Sequence, residues 1–110
     1  MYGEIKVGEK TIEVKATGTT PVHYNQIFHA DFFEQTQNMG ENGTGLTIDV
    51  FMRLAFVMMK QAEGKDMSKV NEGQFYKWLD DFEPMDLPNA MPDIVDFYMG
   101  NTKGTAKAKK

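Results

Sequence analysis

The chain has 110 residues, no cysteine and a formal net charge of -4. This length fits one domain with one modest core, and the lack of cysteine excludes disulfide scaffolds and cysteine-based zinc sites. The longest apolar-rich stretch, 48–59, is shorter than the roughly 20 residues that a membrane-spanning helix needs. No secretory signal opens the sequence. We therefore expect a protein of the cytoplasm that has no membrane partner.

Charge is distributed unevenly along the chain. Residues 101–110 contain four lysines and no acid, which leaves 8 basic and 16 acidic residues in 1–100. An acidic body argues against nucleic acid as a partner. We predict a single folded domain over 1–100 and a disordered, lysine-rich tail over 101–110.

A β-hairpin is predicted at the N-terminus. Apolar side chains alternate with charged ones on both sides of the turn Gly8-Glu9-Lys10, which places one face on a core. The inward residues are Ile5, Val7, Ile12 and Val14. Because an isolated hairpin is marginally stable, we expect it to pack on helices or to pair with another chain.

The first helix is predicted over Pro21–Gln37, with Thr20 as its capping residue and proline at its first position. Phe33 lies beside the apolar stripe of this helix, and we expect it to face a neighbour. The stripe itself has helical spacing and consists of Tyr24, Phe28 and Phe32. A glycine-rich loop over 38–45 follows, without a phosphate-binding fingerprint.

A second helix, capped by Thr47, is predicted to run to about Ala62 and to be closed by Gly64. It is apolar nearly all round, since Asp49 and Arg53 are the polar residues of its first three turns. Such a helix is either central in a core or covered by another chain, and both interpretations stay open. Cover by another chain would also make self-association plausible. Arg53 is expected to pair with Asp49, or alternatively to contact a partner.

Two more helices complete the predicted fold. Asn71, with Gln74 in the capping-box position, begins a helix that ends at Glu83-Pro84. A turn over 86–88 leads to a last helix over Asn89–Met99, stopped by glycine at position 100. The fold class is therefore α+β and mostly α, with an N-terminal hairpin followed by about four helices.

No constellation of reactive side chains is found in the sequence. His23 and His29 are six residues apart, which fits no metal motif. Ser68 is the only serine, and it stands in no nucleophile elbow. We predict that the protein is not an enzyme and that it has no cofactor and no metal; a small enzyme or metal protein is the least favoured alternative.

The segment Thr20–Phe32 resembles the Thr-Pro…Tyr-x-x-x-Phe-x-x-Asp segment of tail assembly chaperones from long-tailed phages and prophages of Gram-positive bacteria. The order of elements is also similar: a hairpin, this helix, an apolar helix over 51–60, the segment 75–82 and a final helix. Two positions differ from many relatives. Asn25 stands where arginine often follows the tyrosine, and His29 stands where glycine often follows the phenylalanine.

The resemblance implies a function in virus assembly. Members of this family bind the tape-measure protein, which sets tail length, keep it soluble, and help to recruit major tail protein. They act in the cytoplasm of the bacterial host and leave before the virion is complete. A permanent structural subunit of the tail, such as a completion or joining protein, is the alternative. Only the latter would be found in purified virions.

The candidate partner-binding residues are large apolar side chains of the second and third predicted helices. Flexible methionine side chains suit an adaptable binding surface, and tryptophan is enriched among binding hot spots. The candidates are Phe51, Leu54, Phe56, Met58, Met59, Trp78 and Phe82.

Overall fold

The computed structural model describes residues 1–36 and 48–100, together with the backbone of Ala106–Lys107. The predicted loop over 38–45 and the capping role of Thr47 lie outside the described residues. Of the predicted tail, the structure describes only Ala106–Lys107, which form a two-residue strand, β3. The sequence did not predict this strand, which pairs with the start of the first one.

The N-terminal hairpin is confirmed. Strands β1 (Tyr2–Val7) and β2 (Lys10–Lys15) are antiparallel, and Val7 lies opposite Lys10. The turn is thus one residue shorter than predicted, because Lys10 already belongs to β2. The alternating apolar side chains form the inner face of the sheet, and all four are buried: Ile5, Val7, Ile12 and Val14.

Gly8 is required by the turn for two reasons. Its φ of +63° lies in the left-handed region that glycine adopts without strain. A Cβ at this position would also lie 2.5 Å from the carboxyl group of Asp86. That carboxylate accepts a hydrogen bond from the backbone N–H of Glu83 at 2.9 Å. The hairpin turn therefore packs directly on the start of the last helix.

The first predicted helix is divided into two, so its continuous span over Pro21–Gln37 is wrong. Helix α1 covers Thr20–Phe28 and helix α2 covers Phe32–Thr36. The chain reverses at His29, which has left-handed backbone angles of φ 54° and ψ 46°. Asn25 stabilises the break, because its Oδ1 accepts a hydrogen bond from the backbone N–H of Phe32 at 2.7 Å.

The break changes which aromatic rings meet. In a continuous helix, residues 24 and 32 would be about 12 Å apart along the axis. Instead the rings of Tyr24 and Phe32 have centroids 4.7 Å apart. The whole predicted stripe is still buried, but it forms a compact cluster rather than a line.

Thr20 does not cap α1, because it is already part of the helix and Thr19 occupies the capping position. The buried Thr20 hydroxyl instead donates to Oε1 of Gln61 at 2.7 Å and accepts from the N–H of Thr17 at 2.9 Å. Gln61 in turn donates to the Thr17 hydroxyl at 3.1 Å. This network joins the connector after β2 to the end of the central helix.

That central helix, α3, covers Ile48–Ala62. It packs against β2 on one side and against α1 and the two C-terminal helices, over 72–79 and 86–99, on the others. Gly64, with φ +75°, follows its end as predicted. The interpretation of α3 as a central core helix is confirmed for this chain, because the sheet and three helices cover it.

The last two helices are shifted relative to the prediction. Helix α4 (Glu72–Leu79) has the predicted capping box of Asn71 and Gln74, but it ends before Pro84 because the chain tightens into three-residue turns over 80–82. Helix α5 (Asp86–Met99) begins three residues early. Pro88 is tolerated there, since the first turn of a helix leaves its N–H groups without intrahelical partners.

At His29 we expect glycine to stabilise the protein and alanine to destabilise it, which is the reverse of their usual order within a helix. His29→Gly should raise the free energy of unfolding by about 0.5–1 kcal/mol, because glycine relieves the left-handed conformation. His29→Ala should lower it, since alanine tolerates that region less well than histidine. Urea denaturation followed by circular dichroism measures both. The opposite order, with alanine stabilising and glycine destabilising, would show that α1 continues through residue 29.

Candidate partner-binding groove

Most of the predicted binding residues of α3 lie in the interior. Phe56 and Met58 are 0% exposed, and Met59 is 8% exposed. A partner cannot contact the first two without opening the fold. Their apolar character is accounted for by the core that α3 shares with the sheet and the other helices.

Trp78 and Phe82 lie on the flank of the core. Both are half-buried, and their ring centroids are 5.0 Å apart in an edge-to-face arrangement. Trp78 also lies 5.5 Å from the ring of Phe56. The structure thus brings three of the predicted residues into one aromatic cluster, which stabilises the packing of α4 on α3.

The remaining two predicted residues, Phe51 and Leu54, are also buried, at 2% and 3% exposure, and they form the floor of a groove between α2, α3 and α5. Its volume is about 200 Å³, and its lining is apolar apart from one threonine. We refer to it as the apolar groove. Its lining residues are Pro21, Phe32, Phe33, Thr36, Phe51, Leu54, Val95, Tyr98 and Met99.

The wall of the apolar groove formed by α2 depends on Tyr24. The hydroxyl of Tyr24 donates to Oε1 of Gln35 at 2.7 Å, which ties α1 to α2. Phe32 packs on Tyr24 and also meets Tyr98 of α5, with ring centroids 5.6 Å apart. Because α2 has only five residues, these contacts rather than its own hydrogen bonds hold it in place.

The rim of the groove carries exposed apolar side chains that were not among the predicted binding residues. Phe33 is 70% exposed and Met99 is 42% exposed. The sequence contained a signal for Phe33, which lies off the buried stripe and was expected to face a neighbour. Met99 has no comparable signal, because its exposure depends on where α5 lies against α2.

Arg53 forms the predicted ion pair with Asp49, with 3.7 Å between Nη2 and Oδ2. Its guanidinium carbon also lies 5.2 Å from the centre of the Phe28 ring, and its Nε is buried without a hydrogen-bond partner in the described part of the chain. These contacts hold Arg53 against α1. They assign it a structural role on the side of α3 away from the groove floor.

The part of the chain that the structure describes contains no group of three or more His, Asp or Glu side chains placed to hold a metal ion. None of its helices is long and apolar enough to cross a membrane. His23 is half-buried, whereas His29 is exposed. The apolar groove is therefore the candidate binding site within the described residues.

Comparison with known proteins matches this chain to no protein family, no curated protein and no solved structure. The resemblance in Thr20–Phe32 and in the order of elements therefore stays an expectation from the sequence. What the structure adds is the groove and its exposed rim.

We expect core and rim phenylalanines to respond differently to truncation. Phe56→Ala should lower the free energy of unfolding by about 3–5 kcal/mol, because it removes a fully buried ring and leaves a cavity. Phe33→Ala should change it by less than about 0.5 kcal/mol, as exposed positions usually do. Urea denaturation separates the two. A large loss for Phe33→Ala would show that this ring belongs to the core.

Tyr24→Phe should lower stability by about 1 kcal/mol through loss of the hydrogen bond to Gln35. Burial raises the pKa of the Tyr24 hydroxyl above its ordinary value of 10.0, although nearby Arg53 acts in the opposite direction. Because the pKa of Tyr24 is higher in the folded chain, the free energy of unfolding keeps its full value below about pH 10. It falls as the pH rises through the pKa of the folded chain.

The wild-type protein should therefore lose its greater stability relative to the Tyr24→Phe variant above pH 10. Urea midpoints measured from pH 8 to 11.5 test this, with Tyr76→Phe as the exposed control. A constant difference across this range would show that Tyr24 ionises equally easily in the folded and unfolded chains.

Proposed function

We propose that this protein is a phage tail assembly chaperone, which binds and solubilises the tape-measure protein and helps to recruit major tail protein in the cytoplasm of the bacterial host. The single observation that carries the proposal is the apolar groove. A groove between helices with an apolar floor and exposed apolar rim is a common docking site for an amphipathic helix.

The break after α1 also supports the proposal. The family that the sequence resembles often has glycine where this chain has His29, and His29 is the non-glycine residue with positive φ within the described ranges. Glycine favours that conformation. The family preference and the backbone geometry of this chain thus agree at the residue that positions α2, and α2 forms one wall of the groove.

The groove gives the proposed chaperone a physical means of acting. A long helical client exposes apolar stripes before it is packed, and such stripes aggregate in water. Covering a stripe with Phe33, Met99 and the groove floor removes its apolar surface from water, which keeps the client soluble. Phe51 and Leu54 are only 2% and 3% exposed, so the surface available without unfolding the core is mainly the rim, Phe33 and Met99.

Co-expression tests the proposal. The chain should capture the protein encoded immediately downstream, expected to be the tape measure, and should bring it into the soluble fraction. The client alone should be insoluble. Phe33→Asp should reduce capture at least about tenfold while leaving the circular dichroism spectrum unchanged. The control variant Tyr76→Asp, at an exposed position of α4, should capture the client normally.

A client that is soluble alone and is not captured would overturn the chaperone proposal. Detection of this chain by mass spectrometry in purified virions, at a fixed ratio to other tail proteins, would also overturn it. That result would favour the permanent tail subunit instead.

A further inference from the structure

The elements that form the walls of the apolar groove carry negative charge and no lysine or arginine. Residues 20–36, which contain α1 and α2, include Asp31 and Glu34. Residues 86–99, which form α5, include Asp86, Asp93 and Asp96. Neither segment has a Lys or Arg.

The arginine of α3, the helix that forms the floor, does not neutralise this charge. Arg53 of α3 is paired with Asp49 and lies over the Phe28 ring. The lysines whose side chains the structure describes lie elsewhere: on the hairpin, at the end of α4 and around a separate hollow beside the start of α4. Those around the hollow are Lys60, Lys65 and Lys69.

Two acids lie close enough to a rim residue to affect a ligand in the groove. Glu34 follows the rim residue Phe33, whereas Asp93, two positions before Val95, faces the other side of α5. Asp96 precedes the rim residue Met99 by three positions, so their side chains are neighbours on one face of α5, with Cβ atoms about 5–6 Å apart. This is well within the screening length of about 8 Å at physiological ionic strength.

We propose that the apolar groove binds an amphipathic helix whose polar face is rich in lysine and arginine. The proposal rests on the proposed function, and it specifies the chemistry of the client segment. Large apolar side chains of that helix, spaced at i, i+3 or i+4 and i+7, insert over Phe51 and Leu54. Its lysines then lie against the acids of α2 and α5, which favours binding and speeds association.

The size of the groove fits this arrangement. A volume of about 200 Å³ accepts anchoring side chains rather than a whole helix. The helix therefore lies across the mouth of the groove, beside Phe33 and Met99. This position places its flanking polar residues near the acidic surface of α2 and α5.

Charge argues against a second copy of this chain as the occupant. A symmetric dimer through the groove would bring two acidic faces together, and juxtaposed like charges are unfavourable. A basic helix meets the same apolar surface with the opposite charge. The charge around the groove therefore favours a basic helix from another protein over a second copy of this chain.

Two labelled peptides test the proposal with the full-length protein. Both are designed amphipathic helices with the same Leu/Phe apolar face, and their polar faces carry either lysine or glutamate. In fluorescence anisotropy at low salt, the lysine peptide should bind at least tenfold more tightly than the glutamate peptide. This preference should shrink at 0.5 M salt, as expected for exposed charges.

Matched variants locate the effect on the protein. Glu34→Gln and Asp96→Asn together should remove most of the preference for the lysine peptide. Asp80→Asn and Glu83→Gln remove the same number of charges near the end of α4 and should leave the preference intact. Asp31 is left unchanged because its carboxylate accepts a hydrogen bond from the Glu34 N–H at 3.3 Å.

The apolar contribution is tested at the rim. Phe33→Asp should abolish binding of both peptides, and the exposed control Tyr76→Asp should not. Equal binding of the two peptides, or equal effects of the two double variants, would overturn the basic-helix proposal. So would sedimentation equilibrium showing a dimer that Phe33→Asp dissociates, because the groove would then bind a second copy.

Failure of this proposal is distinguishable from failure of the proposed function. If the downstream protein is captured normally by Phe33→Asp, the chaperone function stands and the groove is not its site. If the lysine peptide binds the groove but the downstream protein is not captured, the groove chemistry stands and the chaperone function fails.

Discussion

The fold depends on the burial of helix α3. This helix is apolar nearly all round, so it is stable in water only when every side is covered. The sheet covers one side, and α1, α4 and α5 cover the others. The termini of these elements are joined by a few specific contacts, such as the Thr20–Gln61 hydrogen bond and the approach of Gly8 to Asp86. A chain of this length can thus surround a helix when its remaining elements are short.

The break at His29 links this core to the proposed function. By reversing the chain, it folds Phe32 back onto Tyr24 and places α2 beside α5. The same reversal leaves Phe33 in water on the edge of a groove. A continuous helix would have carried Phe32 and Phe33 about 12 Å beyond Tyr24. A single left-handed residue therefore creates the surface on which binding is proposed.

Apolar content alone is a poor guide to a binding surface in this chain. The most apolar helix supplied most of the predicted binding residues, yet Phe56 and Met58 are fully buried. At the groove, the exposed apolar surface comes from Phe33 and Met99 instead. Burial is decided by which elements lie over a residue, so the distinction between core and rim requires the packing of several helices.

The sequence by itself determined the elements and most of the core. Period-two alternation predicted the hairpin, helical spacing predicted the buried stripes, and local chemistry predicted the Asn71 capping box and the Arg53–Asp49 pair. These features depend on residues close together in the chain. Only the tertiary structure decided the break in the first helix, the early start of α5 and the groove between α2, α3 and α5. Each of these depends on contacts between segments far apart in sequence, and their balance cannot be read from local patterns.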